Sequence, residues 1–272
     1  MGFQGLRETP KPDSAVIEEL DSDFTFELVE AEYPSLKGKD AEEHLLRWGL
    51  ADGLKVLTFR HTGRYAAAST SGAADFVSSL LRAPAVASAL QAAGALAGDV
   101  RATAAEALRC EALSMELFDV LEAADVVLTK GGYIRKCLDE LVDGANAQDE
   151  LRELLVNEDS VKADTFSEAA QKEALFRLFK MFAVGGPMCQ SDDEVGNYLE
   201  MTKSLYRDLV TVYKSSKTGQ VEIATEAIAV GEVTDGGFTV FPRDNKHNVM
   251  LVFVDPLKKL TRIVYHPFTP FW

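Results

Sequence analysis

Three side chains in the C-terminal part of the chain have the types that a mononuclear iron site uses. His247 and His266 lie in or beside β-rich runs, and Asp255 lies between them. Two imidazoles and one carboxylate can bind Fe(II), and a similar set can bind zinc. However, the proline after Asp255 is typical of a turn, and His247 lies in a polar loop. A metal-dependent (Fe/Zn) enzyme is therefore the alternative hypothesis, and ordinary loop and strand-end residues are the simpler interpretation.

No other residue pattern matches a familiar catalytic or cofactor-binding motif. No Gly-x-Gly-x-x-Gly sequence follows a predicted strand, and Walker, Cys-x-x-Cys, His-Glu-x-x-His and nucleophile-elbow sequences are absent. The pair Gly185-Gly186 precedes the acidic run 192–194, whose charges would repel a phosphate group. Such a glycine pair is typical of a tight turn between two helices. We therefore expect no catalytic residue, no cofactor and no bound metal.

The composition restricts the class of partner. The chain has 272 residues, of which 47% are hydrophobic, and a net charge of −15. This charge repels nucleic acids and anionic membranes, so we expect protein partners, no nucleic acid and no membrane. Three widely spaced cysteines indicate a reducing compartment, and the N-terminal residues lack the apolar region of a signal peptide. These features favour a cytoplasmic protein.

We predict a flexible tail over residues 1–22 and a single α+β domain over residues 23–272. The tail mixes proline, glycine and charged residues with little apolar periodicity. At the start of the domain, Phe24, Phe26 and Leu28 alternate with polar residues, which predicts a strand.

Two further helical regions are predicted in the first hundred residues. Asp40 and Glu43 have the spacing of a capping box, and the helix that they begin should end near Gly49. Residues 66–98 are rich in alanine and predict two helices, with Pro84 as the first residue of the second. We expect this pair to pack weakly, because alanine buries little apolar surface.

The central part of the chain is predicted to be helical. One set of apolar residues follows helical spacing: Ile134, Cys137, Leu138 and Leu141. Gly144 can end this helix. A second helix, capped by Ser167, carries a stripe that is typical of a buried face: Leu175, Leu178, Phe179 and Phe182. A third helix of about five turns covers residues 195–212.

The last quarter of the chain is predicted to form antiparallel strands. The β-rich runs cover residues 221–233, 238–241, 249–254 and 260–266. Turn sequences such as Asp235-Gly236 and Asp255-Pro256 separate them. We expect these strands to form most of one sheet, joined by the N-terminal strands, with the central helices packed on it. This arrangement is an α+β fold.

The final six residues contain three aromatic side chains, at Phe268, Phe271 and Trp272. Aromatic residues at a chain end either fill a groove on their own domain or bind a partner. Packing on the same domain is the simpler interpretation, and both interpretations are kept.

Four segments between residues 133 and 266 have a distinctive order and spacing. They are IRKCLDELVD, ELRELLVNEDS, LFRLFKMFAVGGPMCQSDDEVGNYLEMTKSLYRDLV and VFVDPLKKLTRIVYH. Together they resemble the cilia- and flagella-associated protein 300 family, and GGPMCQ followed by YLEMTKSLYRDLV is the most specific part. The N-terminal half is similar only around FTFEL, LLRWGL and LSMELF.

The resemblance implies a non-catalytic adaptor that assembles or transports outer and inner axonemal dynein arms. Its implied partners are other dynein arm assembly factors, axonemal dynein precursors and the intraflagellar transport machinery. The implied location is the cytoplasm and, through intraflagellar transport, the axoneme of the cilium or flagellum. The family offers no catalytic residues to transfer to this chain.

The turn after the helix that carries Leu175 is the candidate contact with such partners. The residues of this candidate site are Gly185, Gly186, Pro187, Met188, Cys189, Gln190 and Tyr198. Glycines expose backbone, and methionine offers a soft apolar side chain that adapts to a partner. The competing interpretation is that this turn only packs two helices together.

Overall fold

The centre of the molecule is an antiparallel sheet of six strands, seen in a computed structural model that describes residues 24–63, 65, 70–95, 104–231 and 240–270. The strands of this sheet are β1 (Phe26–Val29), β2 (Lys55–His61), β3 (Ala105–Leu108), β8 (Glu226–Val230), β9 (Val249–Asp255) and β10 (Leu260–His266). Two separate hairpins are formed by β4 (Lys136–Val142) with β5 (Ala145–Asp149) and by β6 (Val212–Lys214) with β7 (Val221–Ile223). The α-helices are α1 (Lys39–Arg47), α2 (Thr70–Arg82), α3 (Pro84–Ala92), α4 (Val120–Ala123), α5 (Glu150–Val156), α6 (Glu168–Gln171), α7 (Ala174–Val184) and α8 (Val195–Leu209). The tail predicted over residues 1–22 lies outside the described residues.

The six strands lie in the order β1-β2-β10-β9-β8-β3, and each neighbouring pair is antiparallel. The C-terminal strands β8, β9 and β10 form a central meander, and the N-terminal strands β1 and β2 extend it on one side. Ile263 of β10 lies opposite Leu57 of β2 and Val252 of β9. The predicted α+β class and the antiparallel sheet of C-terminal strands are confirmed. The run predicted over residues 221–233 divides, however, because β7 pairs with β6 in a separate hairpin and only β8 joins this sheet.

Helices cover both faces of this sheet. On β9, Met250 and Val252 belong to the apolar cluster that includes α2 and α3. Their neighbours Leu251 and Phe253 belong to the cluster that includes α5, α7 and α8. Successive side chains of a strand point to opposite faces, so a strand that is buried on both sides is apolar at successive positions. This explains why β9 lacks the polar alternation of a half-exposed strand.

The alanine-rich region forms α2 and α3, and Pro84 is the first residue of α3 as predicted. The predicted weak packing is wrong for α2, because Phe76, Val77 and Leu80 are almost completely buried. The ring of Phe76 also lies edge-on to the ring of Phe24, with 5.0 Å between their centroids. A few large side chains at helical spacing therefore hold α2 on the sheet, although most of its other residues are small.

The helix predicted through Ile134, Leu138 and Leu141 is wrong, because this segment leads into and forms the first strand of the β4–β5 hairpin. Asp143 and Gly144 connect the two strands with positive φ angles of 49° and 84°. Two successive positive φ angles are typical of the tight hairpin turn that Asp-Gly favours. The apolar spacing does not mark a buried face, since Leu138 is 91% exposed.

Two central helices are shorter than predicted. Ser167 caps a helix by accepting a hydrogen bond from the backbone N–H of Ala170, but α6 ends after four residues. Glu173 interrupts the helix, and its carboxylate accepts hydrogen bonds from the backbone N–H groups of Glu111 and Ala112 at 2.8 and 2.9 Å. The predicted apolar stripe then begins anew in α7, where it is buried. Helix α8 has 15 residues, about four turns.

Two smaller predictions also differ from the structure. Helix α1 begins after Gly38 without a side-chain cap, so Asp40 lies inside the first turn and does not form a capping box. This helix ends before Gly49, as predicted. In the strand predicted over residues 238–241, the described positions Val240 and Phe241 form a bend. The Asp235-Gly236 turn lies outside the described residues.

Gly49 and Gly219 form a matched pair for testing how tightly the chain crosses itself. Their φ angles are 70° and 71°, but a Cβ at Gly49 would lie 2.2 Å from the carbonyl oxygen of Pro187, whereas a Cβ at Gly219 meets nothing within 4 Å. Gly219→Ala should cost about 1–2 kcal/mol of unfolding free energy for the left-handed backbone alone. Gly49→Ala should cost about 4 kcal/mol or more, because backbone must also move. Urea unfolding measures the loss of stability in both variants. Equal losses would mean that the backbone at Gly49 does not pass close to Pro187.

Candidate functional site

The predicted contact turn begins where α7 ends and crosses over the end of α1. Gly185 follows α7 with a φ angle of 71°, and a Cβ there would lie 2.6 Å from the carbonyl oxygen of Trp48. The backbone N–H of Gly186 donates to the Trp48 carbonyl at 2.8 Å, and that of Gln190 donates to the Arg47 carbonyl at 2.7 Å. The turn is therefore fixed against α1 by its backbone, and position 185 requires glycine.

A buried ionic network supports this turn from below. The Arg152 side chain is 1% exposed and donates to Asp149 Oδ2 at 2.7 Å and to the Tyr198 hydroxyl at 2.7 Å. It also donates to Cys189 Sγ at 3.6 Å. The Tyr198 hydroxyl accepts a further hydrogen bond from the backbone N–H of Asp192 at 2.8 Å. Helix α5, helix α8 and the turn are thus joined at one charged centre.

The charge states of this network follow from its burial. Burial alone would lower the pKa of Arg152, but Tyr198, Cys189 and Asp149 outweigh that effect and raise it. Burial raises the pKa of Tyr198 to about 12, although Arg152 opposes this shift. Burial also raises the pKa of the Cys189 thiol. Cys189 therefore lacks the thiolate character of a catalytic nucleophile, and the centre is a cation paired with one carboxylate.

Asp192 fixes the far end of the turn. Its carboxylate accepts a hydrogen bond from Trp48 Nε1 at 2.9 Å and pairs with Arg47 at 2.7 Å. The Trp48 ring stacks on the Tyr198 ring, with 4.6 Å between the centroids. Asp192 is therefore a buried structural residue. Its neighbours Asp193 and Glu194 are exposed at the start of α8.

The residues of the predicted contact site fall into two groups. Those that are buried and shape or support the turn are Gly185, Gly186 and Tyr198. Tyr198 has no exposed surface, so it has nothing to offer a partner directly. Those that reach solvent are Pro187, Met188, Cys189 and Gln190, of which Met188 is 70% exposed. The contact itself stays a prediction, now restricted to this second group.

Met188 combines two features that are unfavourable in an isolated protein. Its φ angle is 59°, which a long side chain rarely adopts, and most of its apolar side chain faces water. Backbone strain of this kind clusters at functional sites, where the surrounding structure holds it in place. These two features motivate a contact role for Met188, and that role stays a prediction.

A groove of ≈ 390 Å³ lies between the turn and the β4–β5 hairpin, and we call it the hairpin groove. Its walls include Asp139, Glu140 and Leu141 from the hairpin, Pro187 and Met188 from the turn, and Phe268 from the C-terminal segment. The hairpin wall was not predicted from the sequence, because the apolar residues of this segment match helical spacing. The Asp-Gly pair in the middle of the segment was the available signal.

The C-terminal segment packs on its own domain as far as the structure describes it. Phe268 is buried, and its backbone N–H donates to Asn248 Oδ1 at 2.9 Å. Pro270 lies so close to Gly144 that a Cβ on the glycine would approach it to 2.5 Å. The segment therefore closes one end of the hairpin groove. The two terminal aromatic residues lie outside the described residues.

The three residues of the iron hypothesis do not meet. Asp255 is the last residue of β9, whereas His266 lies opposite Val249, the first residue of the same strand. Six residues of strand, about 20 Å, separate these positions. The Asp255 carboxylate also accepts hydrogen bonds from the Thr211 hydroxyl and the backbone N–H of Leu257. Within the described parts of the chain, no group of three His, Cys, Asp or Glu residues is arranged to hold a metal.

His247 and His266 are instead buried imidazoles, and they predict a loss of stability in acid. Burial lowers the pKa of each to about 4. An unfolded histidine titrates near about 6.5, so between these values only the unfolded chain binds the proton. The free energy of unfolding should therefore fall by up to about 3 kcal/mol for each histidine as the pH drops from about 6.5 to 4.

Urea unfolding between pH 7 and pH 4.5 measures this dependence. The slope should become shallower in a His266→Asn variant than in the unmodified protein, because one of the two buried imidazoles is removed. Equal slopes in His266→Asn and the unmodified protein would show that the folded imidazole titrates normally.

The chain is similar to proteins of one known family. A sequence profile of the family described as cilia- and flagella-associated protein 300 matches residues 23–266. A protein of that name from Chlamydomonas reinhardtii is 31% identical over 240 residues, which cover 85% of this chain and 92% of the relative. A protein of the same name from Paramecium tetraurelia is 32% identical over 165 residues, covering 61% of this chain and 63% of the relative. No solved structure matches the chain.

The matched region has a clear structural meaning. It begins just before β1 and ends with β10, so it includes every strand of the central sheet. It also includes the N-terminal half, in which only short segments suggested the resemblance. None of the helices that the structure describes is long and apolar enough to cross a lipid bilayer.

Proposed function

This chain belongs to the cilia- and flagella-associated protein 300 family, and we propose that it is a non-catalytic adaptor for the assembly and transport of axonemal dynein arms. It binds dynein arm assembly factors and precursors of the outer and inner arms in the cytoplasm. The intraflagellar transport machinery then carries it with this cargo to the axoneme. The family match over residues 23–266 is the observation that carries this proposal.

The hairpin groove is the surface on which we place the contact with a partner. Asp139 and Glu140 are exposed carboxylates on one wall, and Leu141, Met188 and Phe268 provide apolar surface beside them. This combination complements a short partner segment that inserts one apolar side chain and places a lysine or arginine against the carboxylates. The net charge of −15 adds a long-range attraction for such a segment.

Action by binding alone is part of the proposal. Burial raises the pKa of the Cys110 thiol to about 12, and it also raises the pKa of Cys189. Both thiols are therefore poor nucleophiles at neutral pH. The polar residues beside the turn, with Arg152 at their centre, are satisfied by one another and hold the turn in place. These features support a docking role for the surface above them.

An affinity capture from cells that regenerate their cilia tests this contact. The tagged chain should retain dynein arm subunits and their assembly factors. A variant with Asp139→Lys and Glu140→Lys should retain about tenfold less of them, because it replaces attraction by repulsion at the groove. The matched control is Glu42→Lys with Glu43→Lys, which reverses two adjacent exposed carboxylates on α1.

Equal losses in the two double variants would place the contact outside the hairpin groove. Capture of no dynein subunit or assembly factor by the unmodified chain would contradict the dynein proposal as a whole. Metal analysis of the same purified protein addresses the alternative hypothesis. About one equivalent of tightly bound iron or zinc would favour a metal-dependent enzyme.

A further inference from the structure

A second cavity is lined by buried polar groups that have no part in the proposed function. The described residues leave ≈ 440 Å³ between α7 and the adjoining ends of β8, β9 and β10, and we call this space the histidine cavity. Its volume lies within the roughly 300–1,000 Å³ of small-molecule pockets. Val184, in the last turn of α7, separates it from the hairpin groove and lines both.

Unpaired polar atoms are concentrated on this cavity. Seven buried side-chain nitrogen or oxygen atoms among the described residues make no hydrogen bond of normal geometry. Five of these seven line the cavity: both ring nitrogens of His247, both ring nitrogens of His266, and Nε of Arg177. His247 is 5% exposed and His266 is 1% exposed. Buried polar atoms are almost always hydrogen-bonded, so this concentration points to a partner that belongs in the cavity.

The backbone around the histidines supplies only hydrogen bonds of poor geometry. Such bonds with Gly53 and Gly185 favour the charged form of His266, and one with Val142 favours that of His247. Burial outweighs these effects for both rings, and neither ring makes a hydrogen bond of normal geometry. At neutral pH each ring is therefore a neutral imidazole, with one N–H to donate and one nitrogen to accept.

The charge around the cavity is positive, although the protein as a whole is acidic. Burial and the nearby cations Arg177 and Lys246 lower the pKa of Lys180 to about 8, and Glu158 opposes this shift only weakly. Lys180 forms no ion pair with the described residues. In contrast, Arg177 pairs with Glu106 at 3.2 Å, and Lys246 is also paired. The lining thus offers one uncompensated ammonium group beside two neutral imidazoles.

These observations select the class of ligand. Lys180, Arg177 and Lys246 would repel a metal cation, whereas an oxyanion would pair with Lys180 and accept hydrogen bonds from the histidines. Met181 and Val184 provide an apolar wall next to these groups. We propose that the histidine cavity binds a small amphiphilic anion, whose carboxylate or phosphate group contacts Lys180, His247 and His266 while its apolar part lies against α7.

Calorimetric titration of the 272-residue chain with four probes tests this proposal. Decanoate and hexyl phosphate carry both an anionic group and an apolar chain, whereas inorganic phosphate and hexanol each carry only one of these features. We expect decanoate or hexyl phosphate to bind with a Kd below about 100 µM, and the two partial probes to bind at least about tenfold more weakly. The better of the two amphiphiles identifies the head group.

The four histidines of the chain locate the binding site without any mutation. Binding should shift the ring resonances of His247 and His266 in NMR spectra. The resonances of His44 and His61, which do not line the cavity, should stay in place. This measurement shows whether the ligand binds in the histidine cavity, even if a variant of the cavity does not fold.

Lys180→Gln should raise the Kd of the better amphiphile at least about tenfold. The control is Lys258→Gln, which makes the same change at an exposed position in the β9–β10 turn.

Since the protonated lysine binds the anion, the Kd should also rise as the pH increases through about 8. Hexanol binding as tightly as the amphiphiles, or no probe binding below 1 mM, would overturn the proposal and assign the cavity to water.

Discussion

Arg152→Ala should lower the free energy of unfolding by about 3–5 kcal/mol. The Asp149 carboxylate is completely buried, and the substitution would leave it without its cation. Tyr198 and Cys189 would lose a hydrogen-bond donor in the same step. Urea unfolding at pH 7 measures this loss directly, and the midpoint of thermal unfolding should fall by roughly 10 °C.

Arg135→Ala is the matched control for this result. Arg135 pairs with Asp125 at 2.6 Å, but the two side chains are 42% and 69% exposed. A solvent-exposed pair contributes less than about 1 kcal/mol, so the control should be nearly as stable as the unmodified protein. Tyr198→Phe removes only the hydroxyl and should lie between them, at about 1–3 kcal/mol. Equal losses for Arg152→Ala and Arg135→Ala would mean that the network does not support the turn.

Met188→Asn should weaken partner binding by about tenfold to a hundredfold without destabilising the protein. Burying a methionine side chain contributes about 1.5–3 kcal/mol, which an interface loses when asparagine replaces it. Asparagine adopts positive φ angles more readily, so the strain at φ 59° should be reduced. The free energy of unfolding should therefore stay constant or rise by up to about 1 kcal/mol. Affinity capture and urea unfolding of the same variant measure the two effects.

The effect on partner binding separates docking from packing. If the turn only packed two helices, Met188→Asn would leave the captured proteins unchanged, and the free energy of unfolding would still stay constant or rise, because this side chain is mostly exposed. Leu257→Asn is the control, because Leu257 is 64% exposed in the turn between β9 and β10, which does not line the hairpin groove. This control should change neither the capture of partners nor the free energy of unfolding by more than about 0.5 kcal/mol.

The elements that sequence patterns predicted correctly are those in which local signals agree with packing. The stripe that contains Leu178 and Phe182 repeats at helical spacing, and both side chains are completely buried in α7. Strand β9 is a continuous apolar run as far as Val254, and the Asp255-Pro256 turn that follows it was predicted from its residue types. In these segments, periodicity and turn chemistry lead to the same structure.

The hairpin that forms one wall of the candidate site shows why sequence patterns alone were insufficient. The apolar residues around Leu138 match a helix, but strand pairing with β5 and the turn at Asp143 determine the structure. The Arg152 network could not be predicted from the sequence for a related reason. Asp149 and Arg152 are three residues apart, a spacing that is also common on exposed helix surfaces, and only the surrounding helices bury them. Burial of polar groups depends on contacts distant in sequence, which no local pattern records.

Electron microscopy of axonemes from ciliated cells that lack this protein tests its proposed role most directly. We predict that outer and inner dynein arms are missing or strongly reduced in cross-sections of these axonemes. Expression of the unmodified chain or of Leu257→Asn should restore them, whereas Met188→Asn at equal abundance should not. Axonemes with a complete set of both kinds of arm in the absence of the protein would contradict a role in dynein arm assembly.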